Sequence, residues 1–179
     1  MKETIPIMTN LLVVDDSRFI RNAIKRILAE AGFGVVDVGD GEEALQLAHE
    51  SKPDLIILDM LLPKMGGELL LRSLKHDPTT ANIPVVVVSS LSQSNADKLK
   101  DEGALAYIEK SRLDLMAGGE SLLRVVKAAL RKAKQDFRGP SVGLTGRSYA
   151  NNSGNRPDAN GRAEEDGSTV ASSGSGAFA

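Results

Sequence analysis

The sequence predicts an α/β protein built on a doubly wound parallel sheet. Five short runs rich in Val, Ile and Leu alternate with segments whose apolar residues recur at helical spacing. The runs are almost continuously apolar, which is typical of strands that helices cover on both faces. Hydrophobic residues make up 41% of the chain and aromatic residues only 3%, so we expect an aliphatic core.

The first strand–helix pair begins with the apolar run 11–14, which ends in two aspartates. Ser17 follows and is a typical helix N-cap. Gly32 ends the helix that begins there, as glycine commonly does. The apolar positions of this helix fall at helical spacing and are Phe19, Ile20, Ala23, Ile24, Ile27 and Leu28.

The second pair consists of a strand over residues 34–38 and a helix that Asp40 opens. Glu43 stands three residues after Asp40, which is the spacing of a capping box. This pattern indicates a helix N-terminus directly after the strand. The apolar residues of the helix are Ala44, Leu45, Leu47 and Ala48.

The third pair follows a turn at residues 52–54, which contains a proline. Its strand covers residues 55–58 and runs directly into Asp59. The helix begins after Pro63 and two glycines and continues to Lys75.

The last two pairs complete the alternation. The fourth strand covers residues 85–88, and a polar helix follows over about residues 92–102. The fifth strand, 105–109, leads directly to Lys110. The final helix, about residues 120–135, has apolar residues on one side and basic residues on the other, which favours packing by its apolar side.

Composition divides the chain into an extension (1–9), a domain with all five pairs (10–136) and a tail (137–179). The tail is rich in Gly, Ser, Asn and Ala, so it cannot bury enough surface to offset the entropy of ordering it. We expect it to be disordered and to contain no DNA-binding or catalytic domain. A passive linker and a partner-binding segment are both open as its role.

Composition also excludes several classes of protein. The formal net charge of −2 gives no general attraction to nucleic acid or membrane. The chain has no cysteine, which excludes disulfides and thiolate zinc sites and fits a reducing compartment. No window approaches the roughly 20 apolar residues of a membrane-spanning helix. We therefore expect a cytoplasmic protein with no nucleic-acid or membrane partner.

Polar residues gather where the predicted strands end. Asp15 and Asp16 follow the first strand, and Asp59 follows the third. Ser89 follows the fourth strand and Lys110 the fifth. In a doubly wound sheet the ligand site forms outside the carboxyl ends of the strands, so these side chains should converge.

Each of these residue types has a chemical use in one small volume. Clustered carboxylates repel one another and favour a hard divalent cation with oxygen ligands, of which Mg²⁺ fits best. An ammonium group can pair with a phosphoryl oxygen, and a hydroxyl can donate a hydrogen bond to another. An aspartate beside a metal is also a plausible nucleophile, because aspartyl phosphates are covalent intermediates in catalysis.

The chain resembles the receiver domain of two-component response regulators over about residues 10 to 134. An aspartate pair or a single lysine is common, but four motifs in this order and at these strand positions are specific. The motifs are LLVVDDSRFIR, PDLIILDMLLPKMGG, IPVVVVSS and GALAYIEK. The resemblance implies a five-stranded sheet in the order 2-1-3-4-5, with two helices on one face and three on the other.

The resemblance also implies a role for each charged residue. Asp59 corresponds to the phosphoacceptor of the family. Asp15 and Asp16 correspond to the acidic pair that binds Mg²⁺ with it, and the backbone carbonyl of Leu61 would complete the protein ligands. Lys110 corresponds to the lysine that pairs with the phosphoryl group. The implied donor is a histidine kinase or a phosphotransfer protein.

Two more residues match the switch of the family. Ser89 corresponds to the hydroxyl that moves toward the phosphoryl group, and Tyr107 to the aromatic residue whose rotamer follows it. A half-buried strand tyrosine without a signalling role is the alternative for Tyr107.

The sequence departs from the family at three positions. Lys110 is usually followed by proline and is followed here by Ser111, so the placement of the lysine is a point for the structure to test. Leu61 and Leu91 stand two residues after the phosphoacceptor and the switch serine, where side chains influence how water approaches the acyl phosphate. Two apolar residues predict slow self-dephosphorylation.

The resulting hypothesis is a stand-alone phosphoacceptor that signals by contact with a downstream protein. It would catalyse only its own phosphorylation and dephosphorylation. One alternative is the receiver of a longer regulator whose output domain lies beyond the tail. Another is a phosphohydrolase, although such enzymes typically have a second aspartate where this chain has Leu61. A receiver that never takes phosphate is a third, and the intact acidic set speaks against it.

Overall fold

The computed structural model describes residues 8–90 and 95–137. The strands are β1 (Asn10–Val14), β2 (Gly34–Val38), β3 (Leu55–Leu58), β4 (Val85–Ser89) and β5 (Ala106–Glu109). The helices are α1 (Arg18–Glu30), α2 (Gly41–Ser51), α3 (Gly67–His76), α4 (Ala96–Asp101) and α5 (Glu120–Phe137), and a 3₁₀ turn covers Lys110–Arg112. Except for residues 8, 9 and 137, the predicted extension and the predicted disordered tail lie outside the described residues.

The strands form one parallel sheet in the order β2-β1-β3-β4-β5, which confirms the predicted topology. The register pairs Val14 with Leu58 and Ser89 with Glu109, so the carboxyl ends of neighbouring strands are level. Within the described part of the chain, no helix has the length and apolar character needed to cross a membrane.

Alternate strand residues face opposite sides of the sheet, as the pleat requires, and each face has its own core. Helices α2, α3 and α4 cover one face and α1 and α5 the other, as the family fold implies. On the three-helix face the strands contribute Leu12, Val14, Ile56, Leu58, Val85 and Val87. On the two-helix face they contribute Leu11, Val13, Leu55, Ile57, Val86 and Val88.

The two predicted helix N-caps are present. The side chain of Ser17 accepts a hydrogen bond from the backbone N–H of Ile20 at 3.5 Å. Asp40 Oδ1 accepts from the N–H groups of Glu42 and Glu43 at 2.8 and 3.4 Å. Both caps satisfy donors that have no partner within the helix, so α1 and α2 begin where the sequence indicated.

The exposure of Phe19 and the start of α4 differ from the predictions, and several other element bounds shift by one or two residues. Phe19 is 68% exposed, although its spacing suggested a place on the buried side of α1. Nine residues separate it from buried Leu28, which is two and a half turns at about 3.6 residues per turn, so the two lie on opposite sides. Helix α4 begins at Ala96 instead of about residue 92, and residues 91–94 are outside the described range.

Candidate phosphoacceptor site

Four strands deliver polar side chains to one end of the sheet. Asp15 follows β1 directly, and Asp59 follows β3. Ser89 is the last residue of β4, and Lys110 comes directly after β5. The N–H of Asp59 donates to the carbonyl oxygen of Val14 at 2.8 Å, which continues the parallel pairing to the edge of the site.

Three of these side chains form an acidic cluster. One carboxylate oxygen from each of Asp15, Asp16 and Asp59 lies within 4.8 Å of the other two. Asp15 and Asp59 are 2% and 1% exposed, whereas Asp16 faces solvent. The backbone N–H of Ser17 donates to Asp15 Oδ1 at 2.8 Å and orients that carboxylate. The cluster is therefore mostly buried and open to solvent on the Asp16 side.

Lys110 supplies a counter-charge inside the cluster. Its Nζ lies 2.7 Å from Asp15 Oδ2 and 2.7 Å from Asp59 Oδ2, and its side chain is 14% exposed. Burial alone would lower the pKa of Lys110, but the hydrogen bonds and charges of the two carboxylates outweigh it and raise the pKa. The lysine thus reaches the site with Ser111 in the following position.

Burial dominates the electrostatics of Asp59. It raises the pKa of this carboxyl above its usual value, although the hydrogen bond and charge of Lys110 and the backbone of Leu61 act in the opposite direction. The negative charge of Asp15 adds to the increase. The ionised form of Asp59 is therefore less favoured here than in water, and a nearby cation would stabilise it.

The donor set fits a hard divalent cation. Three carboxylates face one ammonium group, so the fully ionised cluster has two negative charges in excess. Asp59 Oδ1 is buried and has no hydrogen-bond partner among the described residues. Buried polar atoms are normally satisfied, and carboxylate oxygens are preferred ligands of Mg²⁺. The cluster can therefore hold a metal ion.

The loop between β3 and α3 is held close to Asp59. A Cβ atom on Gly67 would overlap the carbonyl oxygen of Asp59, so glycine is required for this approach. Lys64 adopts a left-handed conformation with φ of 59° and forms an ion pair with Asp40 at the start of α2. Leu61 lies within this loop, two residues after Asp59, and is 55% exposed.

The two predicted switch residues lie on neighbouring strands. Ser89 is fully buried at the end of β4. Tyr107 on β5 is half-buried, pairs in register with Val87 and packs against the core of the three-helix face. Burial and the charge of Glu109 raise the pKa of Tyr107. Their roles in switching stay predictions, and Leu91 lies outside the described residues.

Arg21 is a residue of the site that was not predicted from the sequence. This residue lies in the first turn of α1 and donates hydrogen bonds to the backbone carbonyls of Asp15 and Asp16. A signal was present, because Arg21 precedes buried Ile24 and Leu28 by three and seven residues, the spacing of one helix face. A charged residue in a buried stripe indicates a specific partner.

Comparison with known families identifies the class of protein to which this fold and site belong. Residues 11–117 match the model of the response regulator receiver domain, which is more than half of the chain. The chain therefore belongs to the receiver domain family of two-component signalling systems.

The chain is similar to curated proteins whose names describe different activities. The DNA-binding dual master transcriptional regulator RpaA of Synechocystis is 36% identical over 127 residues, covering 70% of this chain and 50% of that protein. A protein-glutamate methylesterase/protein-glutamine glutaminase of Archaeoglobus fulgidus is 36% identical over 126 residues, covering 66% and 35%. The chain thus spans half of the first protein and about a third of the second.

A solved structure supports the same assignment of fold. The chemotaxis protein CheY4 of Vibrio cholerae has a TM-score of 0.61 and 27% identity to this chain. The alignment covers 68% of this chain and 98% of that one. The similarity thus extends over a complete receiver-sized chain.

Proposed function

We propose that this chain accepts a phosphoryl group on Asp59 and passes the signal to another protein by contact. The observation that carries the proposal is the environment of the Asp59 carboxylate. Its Oδ2 accepts a hydrogen bond from Lys110, and its Oδ1 is buried without a hydrogen-bond partner among the described residues. Lys110 therefore orients one oxygen, and the other has no protein partner that would compete with a cation or a phosphoryl group.

The donor in this proposal is a phosphohistidine of a histidine kinase or a phosphotransfer protein. A carboxylate oxygen of Asp59 forms a bond to phosphorus, and the P–N bond breaks with its electron pair going to the imidazole ring. Lys110 pairs with a phosphoryl oxygen as a point charge. Asp15, Asp16, Asp59 and the backbone carbonyl of Leu61 would hold Mg²⁺. When bound, this ion supplies positive charge that neutralises the phosphoryl oxygens.

Phosphorylation would be transmitted through Ser89 and Tyr107. In this proposal the Ser89 hydroxyl moves toward Asp59 and donates a hydrogen bond to a phosphoryl oxygen. Tyr107 is on the adjacent strand and would change rotamer with it. In this way a covalent change at the sheet edge alters the surface around α4 and β5.

The proposed target is a downstream protein, and the domain has no enzymatic role beyond its own phosphorylation and dephosphorylation. We place the exchange in the cytoplasm and propose no nucleic-acid or membrane partner for this domain. A second candidate is the receiver of a longer regulator, which the greater length of the relatives favours. Sequencing the gene beyond this chain distinguishes the two.

Intact mass after incubation with Mg²⁺ and acetyl phosphate tests the phosphoacceptor proposal. We expect the wild type to gain one phosphoryl group and Asp59→Asn to gain none, because the amide is not a nucleophile of this kind. Asp97→Asn is the matched control, since the Asp97 side chain is 92% exposed and contacts Lys100 on α4 instead of the acidic cluster. The proposal is wrong if folded wild type gains no mass, or if Asp59→Asn gains as much as the wild type.

A further inference from the structure

One partly buried side chain joins the acidic site to β2, the edge strand of the sheet. Arg21 Nη1 donates to the carbonyl oxygen of Asp15 at 2.6 Å and to that of Asp16 at 3.1 Å. Arg21 Nε donates to Asp37 Oδ2 on β2 at 3.2 Å. The Arg21 side chain is only 17% exposed, and its hydrogen bonds to Asp15 and Asp37 are partly buried, whereas the one to Asp16 is exposed.

These contacts fix the backbone from which two of the three carboxylates extend. The N–H of Asp15 donates to the carbonyl oxygen of Val38, and its carboxylate is bonded to Ser17 and Lys110. Arg21 adds the Asp15 carbonyl, so every polar group of that residue is held. Asp16 faces solvent, and the hydrogen bond that its carbonyl oxygen accepts from Arg21 limits rotation of its peptide unit.

Asp37 orients the guanidinium group for this task. It lies between Arg21 and Lys25, whose Nζ is 2.7 Å from Asp37 Oδ1. The planar guanidinium presents donors in a fixed fork, so its bond to Asp37 directs another nitrogen toward the two carbonyls. A lysine has a single flexible ammonium and cannot span the same three acceptors in this geometry.

We propose that Arg21 is a positioning residue that sets the Asp15 and Asp16 carboxylates for binding of a divalent cation. The inference rests on the cation site of the proposed function and adds a residue that contacts no ligand itself. Groups that orient metal ligands typically change metal affinity by about 10- to 100-fold when they are replaced.

A purely electrostatic role predicts the opposite sign. A guanidinium near three carboxylates repels a second cation, so its removal would tighten Mg²⁺ binding. Arg21→Lys keeps the charge and loses the fork. Gly39→Ala keeps the whole arginine, but the added Cβ would lie 2.7 Å from Arg21 Nη1 and displace the end of that side chain.

The experiment is a Mg²⁺ titration of the unphosphorylated protein, followed by amide chemical shifts in NMR spectra. We expect Arg21→Lys and Gly39→Ala each to weaken binding about 10-fold. Lys25→Gln is the matched control. It removes a 48% exposed cation that also pairs with Asp37, but leaves the hydrogen bonds of Arg21 to the carbonyls of Asp15 and Asp16 in place. Binding by this control should stay within about twofold of wild type.

A second measurement separates positioning from general damage. The rate of phosphorylation by acetyl phosphate should reach the wild-type value at saturating Mg²⁺, with only the half-saturating Mg²⁺ concentration increased. Unchanged or tighter binding by both variants overturns the inference and leaves the proposed function intact. If the wild type itself binds no Mg²⁺, both fail. If Arg21→Lys does not fold, Gly39→Ala decides alone.

Discussion

Two partly buried lysines at opposite ends of the sheet have opposite surroundings. Lys110, at the carboxyl end, lies between two carboxylates at 2.7 Å each. Lys75, in the last turn of α3, donates to the carbonyl oxygens of Ala81 and Ile83 at 3.0 and 2.6 Å, just before β4 begins. The carboxylates raise the pKa of Lys110, whereas burial lowers the pKa of Lys75.

The difference shows that the partners of a buried ammonium group, and not its burial alone, define its use. Lys75 donates only to carbonyl groups, and these two hydrogen bonds fasten α3 to the loop that precedes β4. These carbonyl groups have no formal charge, so an anionic ligand could not take their place. The carboxylates around Lys110 are charged, and an anionic phosphoryl group could replace one of them as the ion-pair partner of the lysine.

Replacing Lys110 tests this distinction with the largest expected effect. Lys110→Met should lower the free energy of unfolding of the metal-free protein by about 3 kcal/mol, since it leaves buried carboxylates without a counter-charge. Mg²⁺ should restore part of the loss, which urea unfolding with and without the ion measures. Lys98→Met, at an exposed ion pair with Glu68, is the control and should cost under about 1 kcal/mol. A Lys110→Met protein as stable as wild type would contradict the comparison.

Replacing Lys75 should have a smaller effect that depends on pH. Lys75→Met should cost about 1 kcal/mol at pH 7, because two hydrogen bonds are lost but no ammonium needs to be buried. Burial makes the pKa of Lys75 lower in the folded protein than its ordinary 10.5, so the unfolded chain binds more protons between the two pKa values. Wild type should therefore gain stability relative to Lys75→Met as pH rises from neutral toward about 10.5. Urea unfolding of both proteins across this range measures the difference, and a constant difference would show that burial does not disfavour the charged lysine.

The apolar rim of the carboxyl end gives the smallest expected effect. Leu61 is 55% exposed there and cannot hold water by a hydrogen bond. Leu61→Asn should speed loss of the phosphoryl group about fivefold, since one neutral hydrogen bond is worth about 1 kcal/mol. Intact mass at intervals after removal of acetyl phosphate measures the decay. Leu69→Asn, at a 53% exposed leucine on α3, should decay like wild type, and equal decay of all three proteins would mean that the rim does not control water.

The strands and the residues at their ends could be predicted because their signals are local. Asp59 directly follows an uninterrupted apolar run, and the carboxyl ends of parallel strands share one edge of the sheet. The order of the strands in the sheet could not be predicted from local signals, since nothing in the periodicity places β1 between β2 and β3. That order came from the family resemblance, and the structure confirms it.

Contacts between distant elements could not be predicted in the same way. The Lys64–Asp40 ion pair joins two loops whose approach depends on how α2 and α3 pack. The bonds of Arg21 depend on the rotation of α1 against the sheet, and the exposure of Phe19 depends on the same rotation. Helical spacing identifies a face, but the packed neighbours determine which residues at its margin are covered.

The separation of the site residues along the chain affects the order of assembly during synthesis. Lys110 lies 51 residues after Asp59, its partner in the site. At about 5–20 residues per second, the three aspartates leave the ribosome several seconds before the lysine does. Until then β1 and β3 can pair only by bringing three carboxylates together without an ammonium group. We expect this repulsion to hold the partial sheet open, so that the arrival of β5 completes both the sheet and its charge balance.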